Sequence, residues 1–114
     1  MYKEISTDDF KNKYLKNLEN LEIIDVREQY EFDQIRIKWS KLVPMQDLES
    51  HLNAIDWKKE VIFVCRTGGR SGYITNILNQ NGYNSKNLAG WVMMLQMNCQ
   101  ECMESGDMNA KYFE

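Results

Sequence analysis

The stretch Val61-Ile62-Phe63-Val64-Cys65-Arg66-Thr67-Gly68-Gly69-Arg70-Ser71 decides how this chain folds. Four consecutive apolar residues, Val61 to Val64, predict a strand buried on both of its faces. The pair Gly68-Gly69 lets the backbone curl, and a helix follows from about Ser71 to Asn81, with Ile74, Ile77 and Leu78 facing inward. Gly82 closes that helix as a C′ glycine. A buried strand, a tight loop and a helix form one half of a parallel α/β unit.

The chain on either side keeps the same rhythm. Tyr2–Ile5 has the length of a short edge strand. Ser6 caps a helix from about Thr7 to Asn17, with Asp9 in its first turn and Phe10, Tyr14, Leu15 and Leu18 along one stripe. Leu21–Val26 is a second apolar strand, and Arg27–Gln34 a polar loop with a helical turn around Glu28–Phe32. Leu42-Val43 forms a short strand that Pro44, the only proline, brings to an end. Leu48, Leu52 and Ile55 predict a helix over about Gln46–Ile55. Lys86-Asn87-Leu88 reads as another strand and Trp91–Met97 as another helix. Strands alternating with helices give an α/β fold whose mainly parallel sheet is covered on both faces.

Length and charge set the outer bounds. A chain of 114 residues forms one domain. The net charge is −3, and residues 1–96 are balanced. The excess acid lies in Glu101, Glu104, Asp107 and Glu114, opposed only by Lys111. The expected organisation is a domain over residues 1–97 and an acidic C-terminal tail over 98–114 carrying one Cys-x-x-Cys. A neutral body with an acidic tail suits no phosphate backbone, so nucleic acid is excluded as a partner. No apolar run approaches the roughly 20 residues that span a bilayer, and no basic-then-apolar leader opens the chain, so the expectation is a cytoplasmic protein without membrane partners. His51 lies on the Leu48–Leu52 segment and is expected to be exposed or capping. With one histidine and one Cys-x-x-Cys, a four-ligand zinc site is incomplete, and neither metal nor cofactor is called for. Cys99 and Cys102 read either as incidental cysteines on a loosely ordered tail or as a resolving thiol pair.

Chemistry concentrates at Cys65. Ligands of parallel sheets bind beyond the carboxyl ends of the strands, where Cys65 stands. The amides of Thr67, Gly68, Gly69, Arg70 and Ser71 can form one concave anion nest, backed by the helix N-terminus. Arg66 and Arg70 add two permanent positive charges. Such surroundings favour the thiolate and also seat an anionic substrate. A structural cysteine would gain nothing from two glycines and two arginines, so Cys65 is the candidate nucleophile.

Cys65-Arg66-Thr67-Gly68-Gly69-Arg70-Ser71 resembles the active-site loop of rhodanese-like sulfurtransferases. Ile23-Ile24-Asp25-Val26-Arg27-Glu28 with Tyr30-Glu31-Phe32 resembles that family's Asp-Val-Arg-Glu segment and its acidic-aromatic neighbour. Pro44 falls at the family's Ile-Pro, and Asn87-Leu88-Ala89-Gly90 is similar to its Leu-x-Gly-Gly element. The resemblance covers about residues 2–96 and implies a central five-stranded parallel sheet. It implies that Cys65 takes a sulfane sulfur from an anionic donor such as thiosulfate and passes it to cyanide, a thiol or a sulfur carrier. Arg66 would read the donor's anionic end, Arg70 would bind an anion or brace the loop, and Asp25 with Arg27 would support it. The chain departs from the family at Ile35-Arg36-Ile37-Lys38-Trp39-Ser40, where Gly-His-Ile-x-Gly-Ala is common, and at Trp91, where a second glycine is usual. Two rivals stand beside this expectation. A noncatalytic binding module of the same family typically lacks the cysteine. A phosphatase or arsenate reductase uses Cys-x5-Arg, one residue longer than Cys65 to Arg70.

Overall fold

The computed structural model describes residues 3–66, 69–90 and 92–105. In chain order the strands are β1 (Glu4–Ile5), β2 (Leu21–Asp25), β3 (Arg36–Ile37), β4 (Lys41–Leu42), β5 (Glu60–Val64), β6 (Ser85–Leu88) and β7 (Met103–Glu104). The α-helices are α1 (Thr7–Asn17), α2 (Gln29–Gln34), α3 (Gly69–Gln80) and α4 (Val92–Asn98). Five strands form one sheet in the order β1-β6-β5-β2-β4, every pairing parallel.

The central strands alternate strictly between two cores. Leu21 and Ile23 of β2 and Ile62 and Val64 of β5 pack with Phe10 and Tyr14 of α1 and Val92 and Leu95 of α4. Ile24, Val26, Val61, Phe63 and Cys65 point the other way, onto Ile74 and Leu78 of α3 and onto Leu48 and Ile55. Side chains of successive strand residues project to opposite faces, so an unbroken apolar run must feed two cores.

Local chemistry sets the helix ends. The Ser6 hydroxyl accepts the Asp9 amide at 3.1 Å and starts α1 at Thr7. Gly82, at φ +91°, closes α3: its amide donates to the Asn79 carbonyl at 3.3 Å, and the Tyr83 amide to the Leu78 carbonyl at 3.1 Å. This paired C-terminal closure needs a left-handed residue where Gly82 stands. Gly90 lies between β6 and α4 against the start of α1. A Cβ there would clash with Thr7 Cγ2, so glycine allows this approach.

Several expectations are corrected. The predicted helix over Gln46–Ile55 is two 3₁₀ stretches, Met45–Asp47 and Glu49–Ala54. Leu48 and Ile55 still point into the core, because a tighter coil keeps them on the inner side. Leu15 is exposed, lying beside the stripe that Phe10 and Tyr14 occupy. The strand before Pro44 is Lys41–Leu42 rather than Leu42-Val43.

The end of the described chain differs most from a loose tail. A 3₁₀ turn over Gln100–Cys102 leads into β7, which pairs antiparallel with β3. Arg36 Nε donates to Glu104 Oε2 at 2.8 Å, and the Cys102 carbonyl accepts the Lys38 amide at 2.7 Å. Cys99 and Cys102 form a disulfide, and both have no exposed surface. They are core residues on the α1–α4 side. As a disulfide they are neither incidental nor available as resolving thiols. The acidic residues Asp107 and Glu114 lie outside the described residues.

Trp39, where the resemblance implies glycine, stands at φ +72° and is 76% exposed. Its neighbours hold the turn. The Ser40 amide and hydroxyl both donate to the Ile37 carbonyl, and the Tyr14 hydroxyl donates to the Lys38 carbonyl at 3.0 Å.

Candidate active site

Cys65 follows directly on β5, so its position is set by the central strand of the sheet. The side chain is 1% exposed. Two groups of Ser71, in the first turn of α3, approach its sulfur: the amide donates to Sγ at 3.4 Å and Oγ stands 3.2 Å away. The Ser71 hydroxyl also donates to Asn87 Oδ1, from a residue of β6 with 1% exposure. The Asn87 Nδ2 group donates to Glu4 Oε2 at 3.4 Å, across the register pair Glu4–Asn87 of β1 and β6. Opposite the loop, the Val92 amide that opens α4 donates to the Cys65 carbonyl at 3.4 Å. The helix α3 thus meets the Cys65 sulfur through Ser71, β6 stands behind Ser71 through Asn87, and α4 holds the Cys65 carbonyl.

Arg70 is committed elsewhere than to an open anion seat. Its Nη1 and Nη2 donate to the two oxygens of Glu31 at 3.0 and 3.2 Å. Glu31 in turn accepts the Glu28 amide at 3.0 Å as part of the capping box that starts α2. Burial alone would raise the Glu31 carboxyl. The Arg70 hydrogen bonds, the Glu28 amide and the charges of Arg70 and Arg27 outweigh it and hold the group below its ordinary value. Hydrogen bonding to Glu31 likewise raises Arg70. A bidentate guanidinium–carboxylate pair is rigid as well as strong. It ties α3 to α2.

Asp25, the last residue of the neighbouring strand β2, and Arg27 form a second bidentate pair, with Nε and Nη2 donating at 3.0 and 2.8 Å. Both are buried. Arg27 Nη2 also donates to the Ile35 carbonyl at 2.6 Å, which fixes the chain leaving α2. Arg66, by contrast, is exposed. It lines a cleft of about 250 Å³ with Arg27, Tyr30, Gln34, Val92 and Gln96. Within this cleft, Arg66 is the cation that no ion pair among the described residues engages.

The structure therefore brings Cys65, Ser71 and Arg70 around one strand end and places Arg66 at the adjoining cleft. Asp25 and Arg27 sit behind as a buried brace. Thr67 and Gly68 lie outside the described residues. His51 is exposed and engaged with its own 3₁₀ turn, its Nδ1 lying 2.8 Å from the Asp47 carbonyl. Sequence reasoning passed over Glu31 and Asn87 as site residues. The spacing of Glu28 and Glu31 carries a capping signal that marks Glu31 as structured. Nothing local to Asn87 announces its contact with Ser71, which only sheet pairing creates. No helix among the described residues is long and apolar enough to cross a membrane.

Comparison with known proteins adds an independent line. The family model for the rhodanese-like domain matches residues 7–92. Over 91 residues the chain is 35% identical to the provisionally named sulfurtransferase YtwF of Bacillus subtilis (strain 168), covering 80% of this chain and 87% of that one. It is 30% identical over 80 residues to YrkF of the same organism, provisionally named a sulfur carrier protein, covering 70% of this chain and 43% of YrkF. Among solved structures, a rhodanese-like domain protein from Staphylococcus aureus superposes with a TM-score of 0.74 at 32% identity, covering 82% of this chain and 90% of that one.

Proposed function

Because this chain belongs to the rhodanese-like family, we propose that it is a sulfurtransferase whose Cys65 carries the transferred sulfur as a persulfide. The observation that supports this reading is the place of the Cys65 sulfur: at the end of the central strand, facing the amide and hydroxyl of Ser71 in the first turn of α3.

The chemistry then runs in two displacements. The Cys65 thiolate attacks the outer sulfur of a donor such as thiosulfate. A new S–S bond forms, the donor's S–S bond breaks, and sulfite leaves with the electron pair. The enzyme persulfide is left with its terminal sulfur anionic. An acceptor thiolate, or cyanide in an assay, attacks that terminal sulfur and restores the Cys65 thiolate. The Ser71 amide and the start of α3 stabilise negative charge on the terminal sulfur. Arg66 at the cleft pairs with the donor's anionic end, while Arg70, held by Glu31, keeps the loop in shape. The acceptor is a small thiol or a sulfur-carrier protein.

Mass spectrometry after incubation with thiosulfate tests this directly. Wild type should gain the mass of one sulfur atom at Cys65. Cys65→Ser, with an unchanged circular dichroism spectrum, should gain none and should lose thiosulfate:cyanide turnover. Turnover that survives in Cys65→Ser would refute the assignment.

A further inference from the structure

Four groups form a line from the sheet edge to the reactive sulfur: Glu4, Asn87, Ser71 and Cys65. Their proton positions follow from their chemistry. A carboxylate only accepts hydrogen bonds, so Glu4 selects the amide nitrogen of Asn87 and turns the amide oxygen toward Ser71. That oxygen also only accepts, so the proton between it and Ser71 Oγ is the hydroxyl's own. A serine hydroxyl has one proton. With it given to Asn87, Ser71 Oγ presents lone pairs to Cys65 Sγ at 3.2 Å.

We propose that Asn87 is a positioning residue for Cys65, withholding the Ser71 hydroxyl proton from the sulfur and so favouring the thiol in the resting site. This rests on Cys65 being the reactive sulfur. Asn87 is well placed for this role, since its side chain is 1% exposed and its backbone is fixed, the amide donating to the Lys3 carbonyl at 2.8 Å. Release of the Ser71 proton toward Sγ gives the thiolate a hydroxyl donor beside the Ser71 amide that already points at it. A donor to a thiolate stabilises it but also draws off nucleophilic electron density. Asn87 thereby sets the pH at which Cys65 becomes a nucleophile, and keeps that nucleophile strong.

Among the described residues, the charged groups around Cys65 come from several packed elements, and none changes in the variants below. They are Arg70 on α3, Glu31 on α2, Asp25 and Arg27 at the end of β2, Arg66 next in the chain, and Glu4 of β1 behind Asn87. The helix α4, Val92–Asn98, carries no titratable side chain.

Thiolate absorbance at 240 nm, followed against pH on the full chain with the Cys65→Ser spectrum subtracted, reads the effect without sulfur donor or alkylating probe. Asn87→Leu should move the midpoint down by about one pH unit, as the Ser71 hydroxyl turns to the sulfur. In a Ser71→Ala background the same substitution should move nothing, an interaction that a merely structural role would not produce. Ser71→Ala alone should leave the midpoint where it is or lower it. An unchanged or raised midpoint in Asn87→Leu overturns the proposal. So does a rise of about one unit in Ser71→Ala, which decides the matter even if Asn87→Leu fails to fold. A chain that never forms a persulfide would still show these shifts, so this test and that of the sulfurtransferase reading fail separately.

Discussion

Replacing both disulfide sulfurs, in Cys99→Ala/Cys102→Ala, asks how firmly the last described segment belongs to the core. The cross-link joins residues 3 apart. For so short a loop, the chain-entropy relation gives about 2 kcal/mol of stabilisation through the unfolded state. Each sulfur leaves a site with no exposed surface, and the lost burial adds roughly 0.5 kcal/mol apiece. The sum is about 3 kcal/mol. Unfolding entropy near 2.1 cal/mol/K per residue, over 114 residues, makes 1 kcal/mol worth about 4 °C, so Tm should fall by about 12 °C. Scanning calorimetry of both chains without reductant measures it, and a fall of less than about 2 °C would refute the reasoning. The same variant separates structure from chemistry. Once loaded with thiosulfate and freed of donor, it should keep its Cys65 persulfide no longer than wild type does. A clearly longer lifetime would show that these sulfurs reach the persulfide after all.

Other perturbations test other parts of the site. Arg66→Ala should raise KM for thiosulfate about 10- to 150-fold with a smaller effect on kcat, as the loss of one charge-assisted contact requires; equal KM values would remove Arg66 from donor binding. Glu31→Gln should destabilise the chain at pH 7. Because the Glu31 carboxyl is held below its ordinary value of 4.5, its contribution is complete above that pH and is lost as pH falls through the lowered value. The stability gap between wild type and Glu31→Gln in urea should therefore narrow below about pH 4.5, and a constant gap down to pH 3 would contradict this. Trp39→Gly should stabilise by about 0.5–1 kcal/mol, since relief of the left-handed backbone exceeds the entropy that glycine adds to the unfolded chain. A lower urea midpoint would mean that the exposed indole holds something in place.

The centre of the sheet was legible because β2 and β5 are short and mostly apolar. Val61 to Val64 could only be a strand feeding two cores, and Ser6 with Gly82 marked one end each of α1 and α3. The Leu48, Leu52 and Ile55 spacing was less decisive, since α and 3₁₀ coils both return such residues to one side over two turns. Cys65 stood out because its loop carried glycines and arginines that a core position does not need. The partners that hold that loop were hidden: Glu31 lies 39 residues from Arg70 and Asn87 lies 16 from Ser71. The C-terminal disulfide was hidden for another reason. Cys-x-x-Cys specifies no conformation by itself, and only its packing against Phe10, Tyr14 and Leu95 makes it part of a core.

The strand order β1-β6-β5-β2-β4 bears on how the chain matures on the ribosome. Among the described residues β1 pairs with β6 alone, whose pairing residues lie 83 positions downstream. The strands β2 and β5 can join as soon as Val64 emerges, but α1 must wait for α4 to cover Phe10 and Tyr14. The N-terminal segment thus spends most of synthesis as an unsheltered amphipathic helix beside a growing sheet, the state in which nascent chains recruit chaperones. Cys99 and Cys102 follow every other member of that core except Met103, so their cross-link closes a core that is otherwise already made.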